Sequence, residues 1–445
     1  MPMPSCLKPI AASALLLCLA ACACAQSSSV AEQYGAKVNG LVNEMYPQLE
    51  TLYQDIHAHP ELGFQETRTA AKLAAEMRAL GFQVTEKIGK TGVVAIFKNG
   101  TGPTVMVRTE LDALPMEEKT GLPYASTVQA TFNGRESFVA HSCGHDIHMA
   151  AWLGTARSLF ALKDQWRGTL MFIAQPAEEL VGGAKAMLAD GLFTRFGKPD
   201  FAFALHASAA PYGTVAYNVG PVTSNSDRME ITFKGRGGHG SAPHRTIDPI
   251  TIAAHFINDV QTVVSREKDP FEFGVVTVGA VQAGTVGNIT PDSAVLRGTI
   301  RSYKPEVRSK LLDGVLRTAR ASAMMAGAPE PDVSLSEGGL AVINSESVVA
   351  TTETVLKAAL GAKNVMRVPP IAASEDFSAF VNEGVPSMFF FIGVYDPKQV
   401  AESVKPGGKP LPANHSPFFA PMPEPSIKTG VQAMSLAVLN VLDKR

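Results

Sequence analysis

The ten residues Ala140–Met149, AHSCGHDIHM, hold one cysteine, three histidines and an aspartate. Thiolate, imidazole and carboxylate are the donors that zinc and its neighbouring first-row ions take. Cys143 and His145 stand two apart, so an extended chain puts both side chains on one side, within reach of one ion. Glu178-Glu179 is a second acidic element. Adjacent carboxylates in a cleft repel each other unless a cation is near. One of the two can bind metal while the other works as general base, because a divalent ion brings the pKa of its water toward about 7. The remaining donors must come from elsewhere, and Glu179, His206 and His415 are the candidates. Together with Cys143 and His145 these make five, more than one tetrahedral zinc accepts, and a thiolate bridging two ions accommodates them.

The cysteine count bears on that thiol. Lys8 is followed by an apolar run, Ile10 to Ala21, too short to span a bilayer and laid out as a secretory signal. Two endings compete. Leu19-Ala20-Ala21-Cys22 resembles a lipoprotein box that would lipidate Cys22, the ending we favour, whereas Ala23-Cys24-Ala25 fits a cleavage site. Of five cysteines, four (Cys6, Cys18, Cys22, Cys24) lie in this segment. A mature chain cut after Ala25 keeps only Cys143, which can form no internal disulfide. A free thiol in an oxidising compartment is a liability unless a metal occupies it. The expected location is the bacterial envelope, periplasmic or lipid-anchored.

The elements that position these groups follow from periodicity. Continuous apolar runs at 104–108, 170–174, 201–205 and 388–394 read as buried strands, with helical patterns at 67–80, 147–162 and 348–360 between them. That alternation predicts an α/β sheet covered on both faces. Ligands bind beyond the carboxyl ends of such strands. There the sequence places Glu110 and Asp112, then Glu178 and Glu179, then His206. Glu375 and Asp376 read as an acidic pair at a helix start.

Residues 223–336 change character. Met229, Ile231 and Phe233 alternate with Arg228, Glu230, Thr232 and Lys234, the pattern of a half-exposed strand. Asp248-Pro249 opens a helix, strands follow near 274–283 and 294–303, a helix starts at Pro305, and 333–335 forms a last strand. The order β-α-β-β-α-β suggests a small two-layer α+β domain. The expected layout is a signal segment at 1–25, an α/β catalytic domain at 30–222 and 337–445, and an inserted ferredoxin-like domain at 223–336.

Eight phrases, in order over residues 45 to 440, carry a resemblance. They run from His57 to Phe64, Arg108 to Pro115, Ser142 to Asp146, Gln175 to Glu179, Gly237 to Gly240, Gly284 to Pro291, Ser374 to Phe377 and Asn414 to Pro417. The chain resembles the dinuclear-metal peptidase and amidohydrolase family twenty, subfamily D, of aminoacylase, hippurate hydrolase and indoleacetyl-amino-acid hydrolase type. The resemblance implies that Cys143 bridges two divalent ions per subunit, zinc, manganese or cobalt. It implies that His145, Glu179, His206 and His415 complete the ligands and that Glu178 is the acid/base. Asp112 would stand behind the ligands and orient His145. His239 would stabilise the oxyanion from the partner subunit, which makes the inserted domain a lid and dimerisation unit and the protein a homodimer. Asn288 and Arg301 would hold the substrate's free carboxylate. The sequence departs from the pattern at Glu110, where aspartate is usual, at Ser142, where alanine is usual, and at Asn414 and Ser416 around the late histidine.

The expected reaction is hydrolysis of an amide in N-acyl amino acids or small peptides. Alternatives are a dipeptidase or carboxypeptidase of the same mechanism, a Cys143 nucleophile, and a periplasmic binding protein without turnover. A net charge of -2 without a basic tail gives no reason to expect nucleic acid as partner. His57, His59, His141 and His148 read as packing or hydrogen-bonding histidines, and His244 as a surface one.

Overall fold

The computed structural model describes residues 11–442, with side chains from Val30 onward. The expected export segment and Cys22 fall outside the residues whose side chains are described. Among the described residues no helix is long and apolar enough to cross a membrane.

The four apolar runs form the centre of an eight-stranded sheet. Its order is Gln83–Ile88, Gly92–Asn99, Gly168–Gln175, Thr104–Glu110, Phe201–Pro211, Ser387–Tyr395, Val215–Tyr217, Val365–Arg367. The four central strands are mutually parallel. The sheet as a whole is mixed, because the Gln83–Asn99 hairpin and Val215–Tyr217 pair antiparallel.

Both faces are covered, which is why the central strands are apolar throughout. Val105 and Val107 pack with the helices Ala11–Ala58, His145–Ala161, Glu346–Leu360 and Pro423–Leu442. Met106 and Phe389 point the other way, onto Met187 and Phe380 of the short helices Gly183–Ala189 and Ser378–Asn382. Helix Pro423–Leu442 is buried nearly all round, as an apolar helix inside a layer must be. Gly154 seats helix His145–Ala161 against it. A Cβ there would meet Val431 Cγ2 at 2.5 Å and Leu49 Cδ1 at 2.9 Å. That close approach fixes where His145, at the helix start, projects.

A second sheet lies between Val215–Tyr217 and Val365–Arg367 in the chain. Its order is Gly274–Ala283, Ser293–Ser302, Asn225–Lys234, Asp332–Gly339, all antiparallel. With helices Pro249–Thr262 and Pro305–Met325 it follows the β-α-β-β-α-β order. Met229, Ile231 and Phe233 pack under those helices. The alternate residues Ser226, Arg228 and Glu230 therefore point to the opposite face. Asp248 caps the first helix, its carboxylate accepting the Ile250 N–H at 2.9 Å.

Candidate metal centre

Cys143 and His145 converge, but not along an extended chain. Gly144 sits between them at φ 91° and caps the helix that begins at His145. A Cβ on Gly144 would lie 3.0 Å from the Ala207 Cβ. The left-handed turn aims the thiol and the imidazole inward together and costs a residue without a Cβ little.

Each histidine of the deep group has its tautomer set by a backbone carbonyl. His145 Nδ1 donates to Asp112 O at 2.7 Å, and its Nε2 is buried without a partner. His206 Nδ1 donates to Ala207 O at 2.8 Å, which turns Nε2 toward Cys143 Sγ at 3.4 Å. His206 lies within its strand, which continues past it to Pro211, and not at the strand's end. The donor nitrogens of both rings lie within 4.8 Å of each other and of the Cys143 thiol, the arrangement of metal-binding imidazoles oriented from behind.

Glu178 and Glu179 occupy a tight turn. Ala177 and Val181, on either side, have φ of 49° and 53°. Such strain persists only where the surroundings enforce it. The Asp112 carboxylate does so, accepting both the Glu178 and Glu179 N–H groups at 3.0 Å. Buried Glu66 accepts the Ala177 N–H at 2.8 Å. Asp112 thus orients His145 through its backbone carbonyl, while its carboxylate serves the twin glutamates. His415, at φ 67°, brings Nε2 to 3.3 Å from Glu179 Oε1, out of hydrogen-bond alignment.

These donors fall into two groups whose ligand atoms lie within 4.8 Å of one another: Cys143, His145 and His206, and Cys143, Glu179 and His415. The shared thiol and the orphaned atoms His145 Nε2 and Glu179 Oε1 fit a pair of divalent ions. The chemistry of the thiol agrees. Burial, with Glu179 and Glu178 nearby, pushes Cys143 far above the ordinary thiol range, and a cation is what makes such a sulfur a thiolate. Glu178 is likewise pushed well up, by burial and then by the charges of Glu375 and Glu179. Burial also pushes Glu179 up, but His415 and His145 beside it outweigh that and lower it.

Two other clusters of donors are spoken for. His148 Nδ1 donates to Glu110 at 3.0 Å and its Nε2 accepts the Ala207 N–H at 2.7 Å, so neither nitrogen is open to an ion. Glu375 and Asp376 are held by Arg108, at 2.7 and 3.1 Å, in a group that also contains Glu110. That pair is an ion-pair anchor more than a helix-start device, and its cation lies on a strand 267 residues away. Sequence reading missed this group and Glu66, since nothing in local spacing marks residues whose partners are so remote. His57, between Asp146 at 2.6 Å and Glu118 at 3.0 Å, is a hydrogen-bonding histidine. His141 is buried with no hydrogen bond at either nitrogen.

The centre opens into a cavity of about 710 Å³. Cys143, Glu178, Glu179, His206, His415 and Arg301 line it. Arg301 Nη1 is buried there without a partner. His239 and Asn288 do not line this cavity. Both are exposed: His239 lies on a short ladder that pairs Gly238–His239 with Ile289–Thr290, and Asn288 directly precedes that ladder, its carbonyl accepting the Gly240 N–H at 2.8 Å. His239 Nδ1 accepts the Ser241 N–H at 3.2 Å, which leaves Nε2 of this exposed ring as the donor.

Residues 106–440 match the model of peptidase family M20/M25/M40. Thermostable carboxypeptidase 2 of Saccharolobus solfataricus is 34% identical over 413 residues, 92% of this chain and 99% of its own. Hippurate hydrolase of Campylobacter jejuni is 36% identical over 344 residues, 76% of this chain and 86% of its own. Among solved structures, the Bacillus subtilis YXEP protein, a dinuclear metal binding peptidase from the M20 family, superposes with a TM-score of 0.74. It is 28% identical, and the match covers 91% of this chain and 100% of that one.

Proposed function

The chain belongs to the M20/M25/M40 peptidase family, and from that premise we propose that it hydrolyses the amide bond of N-acyl amino acids. The observation that carries this reading is one cavity with an orphaned ligand set on one wall and an unpaired guanidinium, Arg301, on another. A scissile amide beside a free carboxylate spans those two features.

Cys143, His145, Glu179, His206 and His415 would hold two divalent ions, for which zinc, manganese and cobalt suit the donor set. Bound there, the ions acidify water and polarise a carbonyl. The protein's own part is proton handling and orientation. Glu178 accepts the proton of the attacking water, and its burial favours holding that proton in a neutral carboxyl. It then delivers the proton to the amine nitrogen as the C–N bond breaks. Glu178 and Glu179 are driven apart in acidity, as an acid/base and a ligand need to be. Arg301 receives the substrate carboxylate in a bidentate grip.

His239 completes the site from a second copy of the chain. Its exposed Nε2–H, carried with Asn288 away from its own cavity, suits an oxyanion donor in a homodimer. Export, with Cys22 as lipid anchor, is the location that matches Cys143, the one cysteine among the residues whose side chains are described, if a metal occupies its thiol.

The test is hydrolysis of N-acetyl and N-benzoyl amino acids after chelation and re-addition of each metal. Glu178→Gln is expected to keep its metal and lose about 10²- to 10⁴-fold in kcat. Unchanged turnover in that variant overturns the reading. Cleavage of free dipeptides or peptide C-termini alone would assign the carboxypeptidase chemistry named for the Saccharolobus relative.

A further inference from the structure

The face of the four-stranded sheet turned away from its helices carries three arginines in cross-strand register. Glu230 stands directly opposite Arg297, and the two pair at 2.6 Å. One step along, Arg228 stands opposite Thr299, and one step further Arg301 stands opposite Ser226. The sheet neutralises the first arginine with the residue facing it and leaves the next two opposite hydroxyls.

Those two guanidiniums are diagonal neighbours, with about 7–8 Å between such positions, so their long side chains can converge. Both line the cavity of the metal centre. Among the described residues Arg228 makes no ion pair or side-chain hydrogen bond, and Arg301 Nη1 is buried without one. The carboxylates near them are engaged. Asp227 is gripped by Arg308 at 2.6 and 2.9 Å, Glu337 by Lys185 at 3.1 Å, and Glu375 by Arg108. Glu178 and Glu179 belong to the metal centre. Arg228 is exposed and Arg301 half-buried with Nη1 unpartnered, so neither charge is taken up by the protein and both are open to a ligand's carboxylates.

Another part of the lining has a different character. Phe389 and Phe391 of strand Ser387–Tyr395, with Val368 and Ile371, face the cavity as apolar surface. An uncharged acyl group suits that part. Two carboxylates a few bonds apart suit the other.

We propose that Arg228 is a specificity-determining residue for dicarboxylic amino acids: Arg301 holds the α-carboxylate and Arg228 the side-chain carboxylate of an N-acyl glutamate or aspartate. This rests on the amide-hydrolysis reading and names its substrate class.

The experiment compares the metal-loaded full chain on N-acetylglutamate and its uncharged isostere N-acetylglutamine. The expected kcat/KM ratio is about 10 to 100 in favour of glutamate, the size of an unmade hydrogen bond between charged groups. Arg228→Met should collapse the ratio toward one, mainly through KM, and Arg228→Lys should restore part of it. A ratio near one in the unaltered enzyme overturns the proposal. So does an Arg228→Met variant that keeps the ratio, or that lowers both substrates alike because both arginines share one carboxylate. If the enzyme cleaves neither compound with any metal, the amide-hydrolysis reading fails separately. Calorimetric binding of the two compounds to metal-loaded Glu178→Gln protein then decides the Arg228 site: preference for N-acetylglutamate upholds it, and equal or absent binding overturns it.

Discussion

Asp112 and Glu178 are joined by a single backbone contact, the Asp112 carboxylate accepting the Glu178 N–H at 3.0 Å, and its other oxygen does the same for Glu179. An acid outside the candidate donor groups thereby aims both glutamates. Asp112→Asn puts an amide donor against one of these N–H groups. Metal affinity or kcat/KM should fall about 10- to 100-fold, as for other groups that orient ligands. Metal titration and steady-state kinetics on folded protein check this, and wild-type values in both would refute it.

The thiol shared by the two donor groups makes a stoichiometric prediction. Cys143→Ser retains a small polar group but a harder and much less acidic donor. Purified and metal-saturated, the variant should hold fewer than two ions per chain by elemental analysis, with activity reduced in parallel. Two tightly held ions in Cys143→Ala would remove the thiol from the centre.

Arg108 is fully enclosed by three carboxylates, Glu110, Glu375 and Asp376. It ties the segment before the Ser378–Asn382 helix to the central strand Thr104–Glu110. Arg108→Met leaves those acids buried without their cation, at a cost of about 3–5 kcal/mol. Denaturant unfolding at fixed metal concentration measures it. A loss below about 1 kcal/mol would mean the acids are compensated elsewhere.

His57 predicts a pH dependence of stability. Burial disfavours its charged form, but Asp146 and Glu118 outweigh that and hold it up to about 10 against an ordinary 6.5. The folded state therefore binds this proton more tightly than the unfolded chain. The stabilisation is complete below pH 6.5 and is lost as pH rises through about 10. In His57→Asn the fall in melting temperature between those limits should be shallower than in the wild type. Parallel curves would show that His57 is not the group responsible.

The partner-subunit role proposed for His239 predicts complementation. His239→Ala and Glu178→Gln homodimers should each be nearly inactive. Mixed after reversible dissociation, they should regain activity, because one site of each hybrid holds Glu178 of one chain and His239 of the other. No recovery in hybrids whose formation is verified would place His239 outside the site.

Much of this was legible in one dimension because it depends on local pattern. The four buried strands, the helix capped by Asp248-Pro249 and the β-α-β-β-α-β order all follow from spacing of apolar residues and from turn chemistry. The edge hairpin Gln83–Asn99 and the helix Pro423–Leu442 were not read. The first is short and only partly buried along its outer strand, and the second carries its polar stripe (Glu424, Lys428, Gln432) only in its first half and is nearly all apolar after it, so neither shows a sustained period.

By itself the sequence determined the chemistry available: one cysteine beyond the N-terminal segment, imidazoles and acids clustered around it and after the apolar runs, and a sheet to carry them. Donor type is a property of each residue, and strand periodicity is a property of its neighbours. Only the tertiary structure decided which donors are open. His148 and His145 stand three apart on one helix, yet Glu110 and Ala207 occupy both nitrogens of the first, while the Asp112 carbonyl leaves Nε2 of the second bare. It also decided that Arg297 is neutralised while Arg228 and Arg301 are not, through a strand register that joins residues about 70 apart. Hydrogen bonds and ion pairs are made between atoms in space, and a linear pattern does not specify a partner that only folding brings near.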